Sequence, residues 1–152
     1  MEIRPGDLAD PRVLDLLREH LAGMHASSPP GSVYALDLSG LSEPSIAFFT
    51  VWDGDDLLGC GAIKDLGTSG ELKSMRTTAR HLRRGAGKAM LEHLLALAGR
   101  RNYTRVSLET GSGIAFEAAL SLYRMYGFVN GDVFGEYEAS EFNQFLHLEL
   151  HA

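Results

Sequence analysis

The feature that most constrains this chain is a run of three elements at its centre. Glu71–Thr77 reads as a β-strand, Gly85–Arg101 carries Met90, Leu91, Leu94, Leu95 and Ala98 at helical spacing, and Arg105–Thr110 is strand-like again. A strand, a helix and a strand of these lengths make a crossover, which sets the two strands parallel, with a right-handed connection. The apolar members of the first strand are Leu72 and Met75, so its alternation is imperfect. Asn102 is placed to end the helix.

The flanks add further strands and helices. Met1–Arg4 reads as a short edge strand, followed by a turn at Pro5-Gly6. Asp10 can cap a helix with Pro11 at its first position, and Val13, Leu14, Leu17, Leu21 and Met24 form its apolar stripe. Ser27–Gly31 is a break, Ser32–Leu38 reads as a short second helix, and Gly40–Ser45 as loop. Ile46–Trp52 and Leu57–Lys64 are β-rich and joined by Asp53-Gly54-Asp55-Asp56, the composition of a hairpin turn. After the crossover come a helix over Ile114–Tyr126 with Gly127 as its C-cap, then strands over Phe128–Phe134 and Gln144–Leu150. The fold class is α+β, in a single domain over residues 1–152 with enough apolar material for its own core.

Charge narrows the partners. A formal net charge of −6 argues against nucleic acid or an anionic membrane, since both require a basic surface. The charge is uneven, however: Lys73, Arg76, Arg80, Arg83, Arg84 and Lys88 fall in one stretch that contains no Asp or Glu. One cationic site in an acidic protein suits a small anionic ligand. Cys60 is the single cysteine, in an apolar run, which excludes a disulfide framework and fits a buried structural thiol in a reducing compartment. With no apolar run near the roughly 20 residues that cross a bilayer, and no signal-peptide pattern at Met1–Pro5, a cytoplasmic location is expected. His20, His25 and His81 show no metal-ligand spacing and read as solvated or capping side chains; Trp52 reads as a strand aromatic, and no metal is expected.

The segment Leu82-Arg83-Arg84-Gly85-Ala86-Gly87-Lys88 brings basic side chains to the start of a helix, where the dipole disfavours them by roughly 0.3–1 kcal/mol each. A bound anion would resolve that conflict, and Gly85 and Gly87 would let a phosphate approach the backbone. From these residues alone a solvated basic loop accounts for the pattern equally well. A Walker A loop is excluded by Leu82 and Ala89, and a dinucleotide fingerprint is a poor match because Met90 stands where its third glycine belongs.

The stretch from Glu71 to Leu91 closely resembles the central motif of the GNAT (Gcn5-related N-acetyltransferase) superfamily, a strand followed by Gln/Arg-x-x-Gly-x-Gly/Ala and a helix. Ala119-Leu120-Ser121-Leu122-Tyr123-Arg124-Met125-Tyr126-Gly127-Phe128 resembles that family's Ala-x-x-Leu-Tyr-x-x-x-Gly-Phe segment, and the element order of nearly the whole chain agrees. Two positions depart: the polar residue that opens the first motif falls on Leu82, and the Asn often found three residues before the alanine falls on Phe116. The resemblance implies a mixed, mostly antiparallel sheet of six to seven strands, splayed between strands four and five and flanked by about four helices. It also implies acetyl-CoA as co-substrate. Its pantetheine arm would lie along the backbone of Met75, Arg76 and Thr77, and its pyrophosphate would meet the N–H groups and side chains of Arg83, Arg84, Gly85, Ala86, Gly87 and Lys88.

The same resemblance assigns catalytic parts. Acetyl transfer needs a neutral amine, and an alkylamine of pKa ~10.4 is only about one part in two thousand neutral at pH 7, so a base helps. Glu71 stands where a relative carries a glutamate base, and Tyr123 matches the tyrosine proposed to protonate the coenzyme A thiolate. Glu109, at the end of the strand across the splay, is a candidate for holding the acceptor's ammonium or sharing the base role. Tyr34, with Asp37, falls where the family lines its acceptor pocket, and packing accounts for Tyr34 as well. The acidic loop from Asp132 to Glu141 borders that site. The expected activity is transfer of acetyl from acetyl-CoA to a primary amine of a small or amino-acid-like acceptor; the alternative is a non-catalytic acetyl-CoA sensor of the same fold. Homodimers are common in the family, though nothing in this sequence reveals one.

Overall fold

Seven strands join in one sheet in the computed structural model, which describes residues 1–30, 38–78, 81–82 and 84–150. In chain order the elements are β1 (Glu2–Pro5), α1 (Pro11–Ser27), α2 (Leu38–Leu41), β2 (Ile46–Asp53), β3 (Asp56–Asp65), β4 (Ser69–Thr77), α3 (Ala86–Arg100), β5 (Arg105–Thr110), α4 (Ile114–Met125), β6 (Val129–Asn130) and β7 (Gln144–Glu149). The strand order is β1-β2-β3-β4-β5-β7-β6, and every neighbouring pair is antiparallel except β4–β5. The predicted crossover is therefore present, as is the mostly antiparallel sheet. Among the described residues no helix is long and apolar enough to cross a membrane.

Two apolar clusters cover the two faces of the sheet. Strand side chains alternate between faces, and Leu58, an extra residue between the pairs Val51–Gly59 and Trp52–Leu57, shifts that alternation once, so β3 sends Leu58 and Ile63 to one cluster and Leu57, Cys60 and Ala62 to the other. The first cluster is closed by Met90, Leu91, Leu94 and Ala98 of α3 and by Phe116, Leu120 and Tyr123 of α4; the second by Val13, Leu16 and Leu17 of α1 and Leu41 of α2. Trp52 is buried in the second cluster, with the guanidinium groups of Arg4 and Arg12 over its ring at 4.9 and 4.5 Å.

Local chemistry sets the helix ends. Asp10 accepts from the backbone N–H of Arg12 at 2.9 Å and Pro11 follows it, as the cap pattern predicts. Helix α3 ends on Asn102 in the left-handed region (φ 59°), with the N–H of Tyr103 reaching back to Ala98. Helix α4 ends on Gly127 (φ 96°), with Phe128 bonded to the carbonyl of Tyr123.

Two expectations change, and a third falls almost wholly outside the described residues. The strand expected over Phe128–Phe134 pairs only at Val129 and Asn130. Gly131 still donates to Phe145, but His147 Nε2 takes the carbonyl of Asp132 at 2.8 Å, so a side chain replaces the next step of the ladder. Gly40 and Leu41, expected in a loop, belong to α2, where Leu41 is buried. The helix expected over Ser32–Leu38 lies outside the described residues save for Leu38, which starts α2.

The broken alternation of the fourth strand has a structural cause. Cys60 pairs with Arg76 and Ala62 with Lys73, so Ser74 and Met75 together oppose Gly61 in a β-bulge. Ser74 takes a positive φ of 55°, unusual for a residue with a Cβ. The extra residue restores Lys73 and Arg76 to one face, that of Cys60 and Ala62, and turns Met75 onto the other, where it meets Met90 beside Gly61.

Candidate active site

Strands β4 and β5 pair through Ser69–Leu72 and Arg105–Leu108 and then part. Beyond that point the β5-facing edge of Lys73–Thr77 has no strand partner among the described residues, and Glu109 and Thr110 face it across a gap. A cleft of about 810 Å³ runs through the split, bounded by β4, the start of α3, α4, α1 and Tyr137. Met75, Arg76 and Thr77, then Gly85, Ala86, Gly87 and Lys88, and also Glu71, Glu109 and Tyr123 all line this one cleft.

At its mouth, α3 begins without a side-chain cap and without an acidic residue in its first turn. Gly85 is its N-cap at φ 85°, and the first helical bond runs from Ala89 to Gly85. The amides of Ala86, Gly87 and Lys88 therefore precede the helical ladder, the arrangement that binds anions. A Cβ at Gly87 would meet Leu122 Cδ2 at 3.5 Å and Thr77 Oγ1 at 3.8 Å, ordinary contact distances, so a methyl group would fit there without a clash. These features fit a pyrophosphate, and the unpaired edge of β4 fits an extended arm. Leu82, 60% exposed, lines the same mouth. Arg84 turns away and pairs with Asp53 at 2.6 Å; Arg83 and Tyr34 lie outside the described residues. Phe116 is buried against Phe142, ring centroids 5.6 Å apart, so packing occupies the position of the family's amide side chain.

Deeper in the cleft, polar groups converge from three segments. Glu71 is buried, and its Oε2 accepts a very short hydrogen bond from the phenol of Tyr137 and one from Lys73 Nζ at 3.3 Å. Lys73 also donates to the Tyr137 hydroxyl at 2.7 Å. By continuation of the β4–β5 register, Glu109 stands level with Lys73. Burial pushes the Glu109 carboxyl up to about 7, with Asn143 and Lys73 pulling against that and Glu71 reinforcing it. Tyr123 is buried edge-on against Phe128, and burial raises its phenol above the ordinary range.

Sequence reasoning missed Tyr137, Lys73 as a partner of Glu71, and His20. Tyr137 sat in the acidic loop expected to border the acceptor site, where only the loop's charge was read, and its aromatic ring was the only signal of a contact with Glu71. His20, expected to be solvated or capping, is 6% exposed on α1 and lines the cleft, with Nδ1 buried and unpartnered. Burial, then the charge of Arg76, lowers it to about 4. His81 bonds Thr78 Oγ1 through Nδ1 at 2.6 Å. Among the described residues no group of three or more His, Cys, Asp or Glu side chains could hold a metal ion.

Comparisons with known proteins agree with this geometry. The model of the acetyltransferase (GNAT) family matches residues 12–128. The uncharacterised N-acetyltransferase YsnE of Bacillus subtilis is 45% identical over 151 residues, covering 99% of this chain and 100% of that protein. A protein of Klebsiella pneumoniae assigned as an acyl-CoA N-acyltransferase superposes with a TM-score of 0.81 at 25% identity, over 99% and 97% of the two chains. A Bacillus subtilis acetyltransferase in complex with CoA superposes with a TM-score of 0.71 at 19% identity, over 99% of each chain.

Proposed function

The chain belongs to the GNAT acetyltransferase family and is an acyltransferase, and on that premise we propose that it moves acetyl from acetyl-CoA to a primary amine of a small or amino-acid-like acceptor. The observation that carries this reading is the parting of β4 and β5 after Leu72 and Leu108. It opens one cleft to the uncapped end of α3, to two carboxylates and to a buried phenol. Acetyl-CoA, when bound, supplies the activated acetyl group. The amides of Ala86, Gly87 and Lys88 hold its pyrophosphate, and the free edge of Met75–Thr77 accepts its extended arm as an added strand would be accepted. Arg84 lends charge to the phosphates only by releasing Asp53, so the backbone carries most of the binding.

Glu71 and Glu109 form the proton-accepting pair. Glu109, near neutrality, is matched to taking a proton from the acceptor's ammonium at physiological pH. Glu71, fixed by Lys73 and Tyr137, orients the pair and supplies negative charge toward the amine. Tyr123 keeps its proton through the neutral range and gives it to the thiolate as the C–S bond breaks, the phenolate then being reprotonated by the proton that the acceptor nitrogen sheds on becoming an amide. No metal takes part in this scheme, and a cytoplasmic location fits a reaction that draws on acetyl-CoA.

The test is an acceptor screen over an amine library with acetyl-CoA, reading release of free thiol. Turnover with at least one amine is expected, together with calorimetric binding of acetyl-CoA tighter than that of ATP. Saturable acetyl-CoA binding without thiol release for any amine would instead identify a sensor. Sedimentation would decide whether the chain forms a homodimer.

A further inference from the structure

Glycine inside a helix is unfavourable relative to alanine, and α1 carries one at Gly23. A Cβ there would stand 2.8 Å from Nη2 and 3.0 Å from Nη1 of Arg76. The guanidinium thus rests against the helix backbone, in space that only glycine leaves open. It reaches there from β4 on the face shared by Lys73, because the bulge at Ser74 restores the alternation.

That guanidinium is incompletely compensated. Its nearest carboxylate among the described residues is Glu19 at 3.8 Å, too far for a hydrogen bond, and its Nε is buried with no acceptor. Beside it His20 is buried, uncharged near neutral pH and unpartnered at Nδ1. Both residues line the cleft that holds Glu71 and Glu109. Lys73, by contrast, is already engaged by Glu71 and Tyr137. Planar guanidinium donors match the two oxygens of a carboxylate. Arg76 lies two ladder steps beyond Lys73, roughly 7 Å by strand rise, and Glu109 stands level with Lys73. The flexible side chains of Arg76 and Glu109 can close that interval to the few ångströms separating the amine and carboxylate of one small molecule.

We propose that Arg76, seated on Gly23 beside His20, anchors a carboxylate of the acceptor, so that the acceptor is a free amino acid or a close amino-carboxylate. This rests on the acetyltransferase reading and names its substrate class.

The test presents wild-type protein and acetyl-CoA with a set of amino acids, each beside its amide and beside the amine that lacks the carboxylate. The amine of an amide is less basic, so more of it is neutral and reactivity alone favours the amide. A preference for the free acid therefore reports binding. The expected kcat/KM is on the order of ten- to a hundredfold higher for the free acid, as charge-assisted hydrogen bonds allow. Arg76→Gln erases that difference through the KM of the free acid. Gly23→Ala, which favours the helix but crowds the guanidinium, erodes the same preference with Arg76 still present. Equal use of acid, amide and amine by the wild type overturns the proposal, as does an equal loss on all three in Arg76→Gln. If the wild type acetylates none of them, the acetyltransferase reading still rests on the wider amine screen, and binding decides the Arg76 site. The ring-proton NMR signals of His20 then shift with an N-acetylated amino acid and not with its amide, or the site does not exist.

Discussion

Tyr137 donates its phenolic hydrogen to Oε2 of Glu71, tying the loop after β6 to the lip of the β4–β5 split. The contact spans 66 residues of chain, and Lys73 bridges both oxygen atoms of the pair. Tyr137 therefore sets where the Glu71 carboxylate stands.

Tyr137→Phe removes that bond and keeps the ring, which packs against Phe134 and Phe145 at 5.3 and 5.9 Å. One hydrogen bond to a charged group is worth about 1.5–3 kcal/mol. We expect kcat to fall about tenfold or more, the KM for acetyl-CoA to hold, and the melting temperature to move by a few degrees at most. Steady-state kinetics beside thermal denaturation separates this from a folding defect, and an unchanged kcat would remove Tyr137 from the site.

Glu109 gives the activity its pH dependence. With its carboxyl at about 7 in the folded protein, kcat/KM should rise as pH passes through that value, and Glu109→Gln should flatten the rise. Stability moves the opposite way. The folded pKa lies above the unfolded value near 4.5, so the folded state binds the extra proton and loses stability as pH climbs from about 4.5 to 7. Solvent at the cleft screens the effect to a fraction of what the full shift would imply. Glu109→Gln should accordingly melt a few degrees above wild type at pH 8 and close to it at pH 4, and a denaturation series across that range reads the difference.

The legible parts of this fold were those whose cause is local. Asp10 before Pro11, Asn102 and Gly127 mark helix ends through the conformation each residue adopts by itself, and all three stand at helix ends in the structure. The bulge left only a trace, the three-residue interval from Leu72 to Met75, because its cause is the pairing of two residues with Gly61 on another strand. His20 and Tyr137 were illegible for the same physical reason. Burial of an imidazole under α1 and capture of a loop phenol by β4 are decided by packing between distant segments, and neither changes the periodicity of its own element. The shortening of β6 likewise depends on His147, a side chain of β7. The candidate cleft residues from Glu71 to Lys88 were visible because strand, loop and helix start follow one another in sequence.

Tyr123→Phe preserves volume in a fully packed position while deleting the one hydroxyl proposed to return a proton to the thiolate. The expected result is a kcat lower by about 10²–10³, with acetyl-CoA binding unchanged by calorimetry. A phenol that served packing alone would leave kcat within about twofold.

Gly85 and Gly87 should respond to alanine in opposite ways on stability and alike on cofactor binding. Gly85 sits at φ 85°, where a Cβ is strained by roughly 1–2 kcal/mol, so Gly85→Ala should lower the melting temperature by several degrees. Gly87 is inside the first turn of α3 with no neighbour closer to an added Cβ than ordinary contact distance, and alanine there favours the helix by up to about 1 kcal/mol. Gly87→Ala should therefore fold as well as wild type or better. Its methyl group nevertheless stands where a phosphate would approach the amides of Ala86, Gly87 and Lys88, and the KM for acetyl-CoA should rise about tenfold. Retained stability with a raised KM separates an anion-binding helix end from a merely exposed one. A Gly87→Ala protein that bound acetyl-CoA as tightly as wild type would place the pyrophosphate elsewhere.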